Sequence, residues 1–382
     1  MVNITDNLKN NKLEGIIRKI ETPSYLLDLD KVKSNIHMIK NCFSYSNFQI
    51  HYALFANDNE KLLQLIRNEN LGILVLNEQE VDTALKLGFS KDQIHLTGGT
   101  FTRERLAKLL SYRLDTNLDS LAQLELAGQI FRGSEVGIRI RLYGKETKGA
   151  GEGISLLDLE KVKEIAKKYY LKIVGVQTYV GTNTLDEQKY LDSTKKLTNI
   201  ASQFPHLRYI NLGGGFGIPY SSKDRSFNWD TSGKEISEVF EQLASNQKNR
   251  IQLKIEPGRS IVGDAGYFVT KIIEVRDEDT LIVDSPYTNF SRPFVYHTNH
   301  RVKCVGKEGE DKKYRIRGCT INSDDYLSSP DFGGDCAILP KDIQEGDIVY
   351  FRDVGAYSPV MQMDFLHNEK APTLILVNGK IK

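Results

Sequence analysis

Two short stretches of the sequence carry residue types that can hold an anion beside a nitrogen-containing ring. Residues 211–217 read NLGGGFG, and three adjacent glycines let backbone N–H groups approach phosphate oxygens closely. Residues 255–259 read IEPGR; the carboxylate of Glu256 can keep a pyridine nitrogen protonated, and the guanidinium of Arg259 can bind phosphate through paired hydrogen bonds. Simpler explanations are a tight strand-to-helix loop for the first stretch and a salt bridge between Glu256 and Arg259 for the second.

A repeating order of buried strand and amphipathic helix is expected to position both stretches. The candidate strands are residues 49–55, 72–76, 93–97, 113–117, 135–142, 172–180, 208–213 and 251–256. Strands that alternate with helices predict parallel pairing through right-handed crossovers. Eight such units favour a closed (β/α)8 barrel over an open sheet, and functional groups in a barrel lie where the strands end.

The pattern changes after residue 265 to short β-rich runs separated by turns. These runs are residues 267–275, 281–283 and 347–351. We therefore predict an α/β protein with two domains: a cofactor-binding barrel over residues 28–265, and an all-β domain over residues 1–27 and 266–382. The strand expected at 24–28 would complete the β domain.

Bulk composition excludes several function classes. The net charge is +1 with 26% charged residues, so no global field favours nucleic acid or an anionic membrane. No apolar run is long enough to span a bilayer, and the first residues lack the hydrophobic core of a signal peptide. The four cysteines show no paired spacing, which predicts neither a metal site nor disulfides and favours a cytoplasmic location.

Five motifs, in order, resemble those of the pyridoxal 5′-phosphate (PLP)-dependent decarboxylases of fold type III, which act on ornithine, diaminopimelate or arginine. The motifs are HYALFAN at 51–57, GGGF at 213–216, EPGR at 256–259, RPFVY at 292–296 and DVGAY at 353–357. Their joint order and spacing are specific, and the resemblance covers about residues 22–368. The chain is identified as a member of this family, within the wider group of barrels similar to alanine racemase.

The resemblance implies a homodimer whose PLP sites lie at the subunit interface. The residues that it implies for the cofactor are Tyr179, Thr182, Gly213, Gly214, Gly215, Phe216, Glu256, Gly258, Arg259 and, from the partner subunit, Tyr357. The residues that it implies for a substrate are Arg292, Tyr296 and Asp325. Arg292 would meet a distal carboxylate and Asp325 a distal amine, so basic and diaminodicarboxylic amino acids both stay open.

The lysine that forms a Schiff base with PLP in this family is replaced by Phe55. Phenylalanine has no amine, so PLP would be held without a covalent bond, if it is bound at all. The nearest following lysine, Lys61, lies on the next predicted helix and points elsewhere. What would be lost is fast exchange of the cofactor's imine and fast product release.

The cysteine that delivers a proton after decarboxylation is replaced by Ile321, which has no proton to give. Cys319 lies two residues earlier and would share a face with Ile321 if the segment were a strand. Rescue by Cys319 is the alternative to a structural thiol. Asp325 keeps the aspartate of the family pattern GxxCxSxD.

The third departure lies in QTYVGT at residues 177–182, where Tyr179 replaces a histidine that stacks on the pyridine ring and Thr182 replaces a serine. A tyrosine can still stack, so this change is the mildest. Groups that would bind phosphate are thus kept, whereas the covalent anchor and the proton donor are both apolar.

Three functions follow from this pattern. The first is a pseudoenzyme or a member with rewired chemistry, which binds a ligand or a partner and would regulate an active paralogue as a heterodimer. The second is an active decarboxylase-type lyase with non-covalent PLP, acting on a diamino or basic amino acid, including one tethered to a carrier protein. The third is a PLP-independent enzyme that acts on a phosphorylated or anionic substrate at the barrel rim.

Overall fold

The structure is a computed structural model that describes residues 12–144, 146–147, 150–245 and 250–382. The chain forms two compact units. The barrel unit comprises residues 35–218 and 226–260, and the β unit comprises the described part of residues 1–34 together with 219–225 and 261–382. The domain limits predicted from the sequence, residues 28–265 for the barrel and 1–27 with 266–382 for the β domain, stay predictions.

The barrel unit is a closed barrel of eight parallel strands. Strand β1 (Ser24–Asp28) precedes it in the chain and belongs to the β unit. The barrel strands are β2 (Phe48–Ala53), β3 (Gly72–Val75), β4 (Ile94–Thr97), β5 (Asp115–Leu118), β6 (Glu135–Arg141), β8 (Lys172–Gln177), β9 (Tyr209–Asn211) and β10 (Gln252–Ile255); the short β7 (Ile154–Ser155) pairs with β6. The order β5-β4-β3-β2-β10-β9-β8-β6 closes through the pairing of β5 with β6, which confirms the predicted barrel.

Helices connect the strands, and polar caps fix where several of them begin. The helices are α1 (Leu29–Cys42), α2 (Glu60–Asn68), α3 (Glu78–Lys86), α4 (Arg103–Ser111), α5 (Leu121–Ile130), α6 (Leu159–Tyr169), α7 (Glu187–Ala201) and α8 (Trp229–Ser245). The side chains of Asn59, Asn77 and Thr102 accept hydrogen bonds from the first backbone N–H groups of α2, α3 and α4. Such caps end each loop at a defined residue and so hold the strand ends in place.

Polar side chains fill part of the barrel interior, and glycines on neighbouring strands make room for them. A Cβ atom at Gly72 would collide with the ring of His51, and one at Gly175 would collide with the ring of Tyr209. The Tyr209 hydroxyl donates to Asn117 Oδ1 over 2.8 Å. Because these side chains are fully buried, and Tyr209 and Asn117 are also hydrogen-bonded to each other, they set the spacing of the strands below the rim.

The β unit is built on an extended sheet in which β1 is an inner strand. Its other strands are β11 (Gly266–Arg276), β12 (Thr280–Val283), β13 (Val302–Cys304), β14 (Asp311–Arg317), β15 (Tyr326–Ser328), β16 (Ala337–Pro340), β17 (Ile348–Arg352), β18 (Thr373–Val377) and β19 (Lys380–Ile381). Strand β1 pairs antiparallel with β11 and parallel with β18. The carboxy-terminal part is therefore mostly sheet, as predicted, and the first strand completes it. Two short helices, α9 (Arg259–Val262) and α10 (Arg292–Tyr296), complete the regular structure used below.

Within the described ranges, no helix has the length and apolar character needed to cross a membrane. The same residues contain no group of His, Cys, Asp and Glu side chains that could hold a metal ion.

Candidate functional site

The glycine-rich loop after β9 is held by hydrogen bonds to its carbonyl oxygens. The backbone N–H of Glu256 donates to the Gly213 carbonyl over 2.8 Å, and that of Thr184 donates to the Gly215 carbonyl over 2.8 Å. The hydroxyl of Tyr190 donates to the Gly214 carbonyl over 3.1 Å. With three successive carbonyls bound, the loop presents its N–H groups on the other side.

Those N–H groups are available to a ligand. Among the residues that the structure describes, the backbone N–H groups of Gly214, Gly215 and Phe216 donate to no protein acceptor. Gly213 and Gly215 have φ of +72° and +86°, a conformation that glycine adopts without strain. A turn of consecutive free N–H groups at a strand end is a recurrent site for phosphate. The loop therefore fits a phosphate group such as that of PLP.

The side chain of Phe216 supports this loop from the core. Phe216 is 1% exposed and stacks on Tyr190, with ring centroids 4.0 Å apart. Phe227 and Trp229 complete the aromatic cluster around it. Phe216 was predicted to bind the cofactor; in the structure it offers a backbone N–H, while its ring holds the loop in place.

Glu256 lies at the end of β10 and is almost fully buried. Its Oε1 accepts a hydrogen bond from Asn211 Nδ2 over 2.7 Å, and its Oε2 accepts one from Gln177 Nε2 over 2.9 Å. Each carboxylate oxygen keeps a further lone pair that can accept from a protonated ring nitrogen. Burial raises the pKa of Glu256 from its ordinary value, while the two amide donors oppose that rise.

The raised pKa of Glu256 predicts a pH-dependent effect of Glu256→Gln on stability. The carboxyl group of Glu256 binds its proton more tightly in the folded than in the unfolded state. The folded protein therefore loses stability as pH rises from the unfolded-state pKa, near 4.5, to the higher folded-state pKa. Glutamine does not titrate. The free energy of unfolding of the variant minus that of the parent should therefore be more positive at neutral pH than below pH 4.5.

Urea unfolding of both proteins at the two pH values measures this difference. The hydrogen bond that glutamine fails to accept adds an offset that does not depend on pH. A difference that stays constant, or that falls as pH rises, would contradict a raised pKa at Glu256.

Tyr179 follows β8 on the same rim of the barrel. Its hydroxyl lies 3.2 Å from Thr182 Oγ1, and the guanidinium of Arg139 lies 5.5 Å from its ring centroid. The ring is partly buried, so one side is open. This arrangement can present an aromatic face beside the glycine loop, because a Cβ atom at Gly215 would lie 3.3 Å from the Tyr179 ring.

Phe55 lies in a one-turn 3-10 helix, Leu54–Ala56, directly after β2. The Tyr52 hydroxyl donates to the Asn57 carbonyl over 3.0 Å, and the Ala53 N–H donates to the Pro257 carbonyl over 3.4 Å. The segment is thereby tied to the end of β10. Phe55 is partly buried, whereas its two neighbours in the 3-10 helix, Leu54 and Ala56, are buried.

Gly258 and Arg259 follow Glu256 after a single intervening residue, Pro257. Both are buried, and Arg259 begins the four-residue helix α9 with an exposed fraction of 9%. The predicted cofactor residues of the barrel unit thus lie at the carboxy-terminal ends of β8, β9 and β10, which are neighbours in the barrel. Adjacent parallel strands bring these ends together, as the sequence analysis expected.

In the β unit, Arg292 is the first residue of α10 and is 6% exposed. Its guanidinium lies over the Tyr220 ring at 4.6 Å and 5.9 Å from the Tyr296 ring centroid, and it contacts His300 Nε2. Tyr296 is 49% exposed. The charge of Arg292 therefore lies near two aromatic rings, one of which belongs to the exposed Tyr296.

The segment 318–325 is a turn and not a strand, so the condition under which Cys319 and Ile321 would share a strand face is not met. Asp325, which is fully buried, organises the turn: its Oδ2 accepts from the backbone N–H of Thr320 over 2.9 Å and from the Thr320 hydroxyl over 2.6 Å. Its Oδ1 accepts from the Tyr287 N–H over 2.7 Å. Both carboxylate oxygens of Asp325 thus serve the fold of the β unit.

Ile321 is fully exposed at the tip of this turn, and Cys319 is also exposed. Although the residue is exposed, its sulfur is partly shielded from water, and this desolvation together with the nearby Asp325 carboxylate raises the pKa of Cys319, so the group stays a thiol at neutral pH. Tyr357, after β17, has a φ of +60°. The roles predicted for these residues rest on a second subunit and stay predictions.

Sequence reasoning missed the polar residues that hold Glu256. Gln177 and Asn211 end β8 and β9, so the rule that strand ends carry function could have found them. It also missed His95, whose Nε2 lies 3.9 Å from Glu256 Oε1, and Lys254, whose Nζ lies 3.4 Å from His95 Nδ1. Burial lowers the pKa of His95 well below its ordinary value.

Comparison with known proteins gives a consistent result. A family model described as "Pyridoxal-dependent decarboxylase, pyridoxal binding domain" matches residues 29–263. Diaminopimelate decarboxylase of Archaeoglobus fulgidus is 28% identical, with 96% of this chain and 90% of the relative covered. That of Methanothermobacter thermautotrophicus is 26% identical, with 94% and 88% covered.

A solved structure is similar over nearly the whole chain. The crystal structure of diaminopimelate decarboxylase from Helicobacter pylori complexed with L-lysine has a TM-score of 0.84 and 25% sequence identity. The similarity covers 97% of this chain and 95% of that chain.

Proposed function

Because this chain belongs to the family of pyridoxal-dependent decarboxylases, we propose that it holds PLP without a covalent bond and has lost or changed the family's decarboxylation. The observation that carries the proposal is a glycine loop with free N–H groups and a buried Glu256, in a chain that has a phenylalanine at residue 55. The binding groups are present, and residue 55 has no amine. This combination favours a pseudoenzyme or an altered reaction over the ordinary one.

Each binding group has a defined task in this proposal. The N–H groups of Gly214, Gly215 and Phe216 donate to the phosphate, and Arg259 balances its charge. Glu256 accepts a hydrogen bond from the ring nitrogen. The Tyr179 ring packs against the face of the pyridine. When bound, PLP supplies a ring that withdraws electrons from a carbon next to an amine.

Titration of the purified protein with PLP, followed by quenching of aromatic fluorescence, tests the proposal. We expect saturable binding that gel filtration reverses, and no lysine adduct by mass spectrometry after borohydride reduction. An adduct on any lysine would overturn the non-covalent mode. Absence of saturable binding would instead favour an enzyme that uses the barrel rim without PLP on a phosphorylated or anionic substrate.

A second candidate is a decarboxylase that works with non-covalent PLP. It is favoured by the relatives named diaminopimelate decarboxylase and by the protonated, exposed thiol of Cys319. In this candidate, Cys319 donates the proton that Ile321 cannot. Release of CO₂ from diaminopimelate, lysine or ornithine with added PLP, reduced at least about 10-fold by Cys319→Ser, would support it. No release from any of the three would exclude it for these substrates.

We also propose that the protein is a homodimer, with its second copy covering apolar side chains of the β unit. Ile321 is fully exposed, and Phe365 and Tyr296 are 55% and 49% exposed. A second copy of the chain would remove such large side chains from contact with water. Sedimentation velocity should give twice the chain mass at micromolar concentration. A monomer would favour the alternative, a heterodimer with an active paralogue, which co-purification from the native source would then test.

A further inference from the structure

A cavity lies at the opposite end of the barrel from the glycine loop. It has a volume of about 770 Å³, and its lining residues come from the beginnings of strands rather than from their ends. We call it the floor pocket and define it by its charged residues, Lys91, Asp92, Arg113, Asp115, Arg208 and Lys254. A volume of this size is in the usual range for a small-molecule site.

Positive charge dominates the floor pocket. Four cationic side chains line it against two carboxylates, and a third carboxylate outside the lining, Glu135, pairs with Arg208; one net positive charge remains even so, as large as the total charge of the whole chain. The local excess therefore arises from the positions of these residues and not from composition. Cations converging on one cavity raise the local concentration of anions.

The inner end of the pocket is a fixed charge cluster. Lys254 Nζ lies 2.7 Å from Asp115 Oδ2, and Arg208 Nη2 lies 3.0 Å from Asp115 Oδ1. One carboxylate is thus shared by two cations. The side chain of Lys254 is 2% exposed, and it also lies over the Tyr209 ring at 4.2 Å. Burial lowers the pKa of Lys254, whereas Asp115 opposes that shift.

The outer part of the pocket carries two cations without a carboxylate partner. Lys91 precedes β4 and Arg113 precedes β5, and both are exposed. Within the described parts of the chain, neither side chain forms an ion pair. Two unpaired cations that lie just before adjacent strands and line one cavity are placed to bind the same ligand.

The remaining lining adds groups that suit an organic anion. The amide side chains of Gln49 and Gln252 can donate hydrogen bonds, and Phe48 lines the wall while stacking on Phe43 with centroids 4.1 Å apart.

From these features we infer that the floor pocket binds a multiply charged phosphate compound, with Arg113 and Lys91 as the groups that recognise it. Arginine and lysine are the usual phosphate-binding side chains. This inference does not depend on PLP binding.

Tripolyphosphate and ATP are the probes, titrated by calorimetry into the full-length protein saturated with PLP, at low and at moderate salt. We expect saturable binding that weakens with salt and that Lys91→Gln/Arg113→Gln weakens at least about 10-fold. The matched control is Lys167→Gln/Lys195→Gln, which removes the same charge from exposed helix surfaces of the barrel unit. The control should bind like the parent.

Tighter binding of ATP than of tripolyphosphate would indicate that the adenine ring packs against Phe48. Equal binding would indicate that the pocket recognises the phosphates alone. Omission of PLP should leave the result unchanged, which separates this site from the glycine loop. No saturable binding of either probe overturns the inference, as does equal weakening by the pocket and control variants. Thermal unfolding without ligand shows whether the pocket variant is folded. If it is not, Arg113→Lys, which keeps the charge but loses the guanidinium, replaces it and should weaken binding less than Arg113→Gln.

Discussion

Phe55→Lys combined with Ile321→Cys should convert reversible PLP binding into a stable covalent link. The lysine supplies the amine that residue 55 lacks, at a segment tied to the end of β10 by the contact between Ala53 and Pro257. We expect close to one borohydride-stable PLP adduct per chain, on Lys at position 55, against none in the parent. Peptide mass spectrometry locates the adduct.

Phe55→Gln combined with Ile321→Cys is the matched control, because it introduces a polar side chain of similar reach without an amine. The single variant Phe55→Lys tests the covalent anchor by itself, because it restores the amine at residue 55 without placing a cysteine at residue 321. If PLP binds reversibly to the lysine variant yet forms no adduct, residue 55 does not face the cofactor and the assignment of its role is wrong. An adduct without decarboxylation of diamino acids would show that the substrate pocket has also diverged.

Alanine at Gly213 or Gly215 should abolish tight PLP binding. The new Cβ at Gly213 would collide with the Thr178 carbonyl, and that at Gly215 with the Gly181 carbonyl. The loop must then move, and its N–H groups no longer converge. Loss of one or two charge-assisted hydrogen bonds corresponds to about 3 kcal/mol, or about 100-fold in affinity. Fluorescence titration with PLP measures the change.

Gly133→Ala is the control for this prediction. Its φ is +77°, close to that of the loop glycines, but a Cβ there would meet nothing within 4 Å. It should cost about 1 kcal/mol of stability through backbone strain and leave PLP affinity unchanged. If a loop variant fails to fold, Arg259→Gln tests the same phosphate site from a side chain. Parental affinity in a folded Gly213→Ala protein would exclude this loop as the binding site.

The order of the barrel strands could be predicted closely because each strand is a short apolar run bounded by polar or glycine-rich turns. The expected strand 72–76 is found at Gly72–Val75, and the expected 251–256 is found at Gln252–Ile255. Strands were predicted too long where apolar residues continue past the last hydrogen bond to the neighbouring strand. The run 172–180 was one such case, since β8 ends at Gln177.

The partners of the site residues could not be predicted in the same way. That Gln177 and Asn211 both donate to Glu256 depends on the register of three neighbouring strands, which apolar periodicity does not encode. The turn around Asp325 could not be predicted, because it depends on a buried carboxylate that replaces strand pairing by accepting backbone N–H groups. The floor pocket needs residues from several distant loops and has no local signature at all.

The position of β1 between β11 and β18 has a consequence for the newly synthesised chain. Strand β1 emerges from the ribosome before the barrel, yet its parallel partner β18 ends only at Val377. At roughly 5–20 residues per second, β1 waits on the order of half a minute for that partner. During this interval at least one of its edges has unpaired N–H and C=O groups, so we expect chaperones that cover nascent strands to raise the yield of native protein.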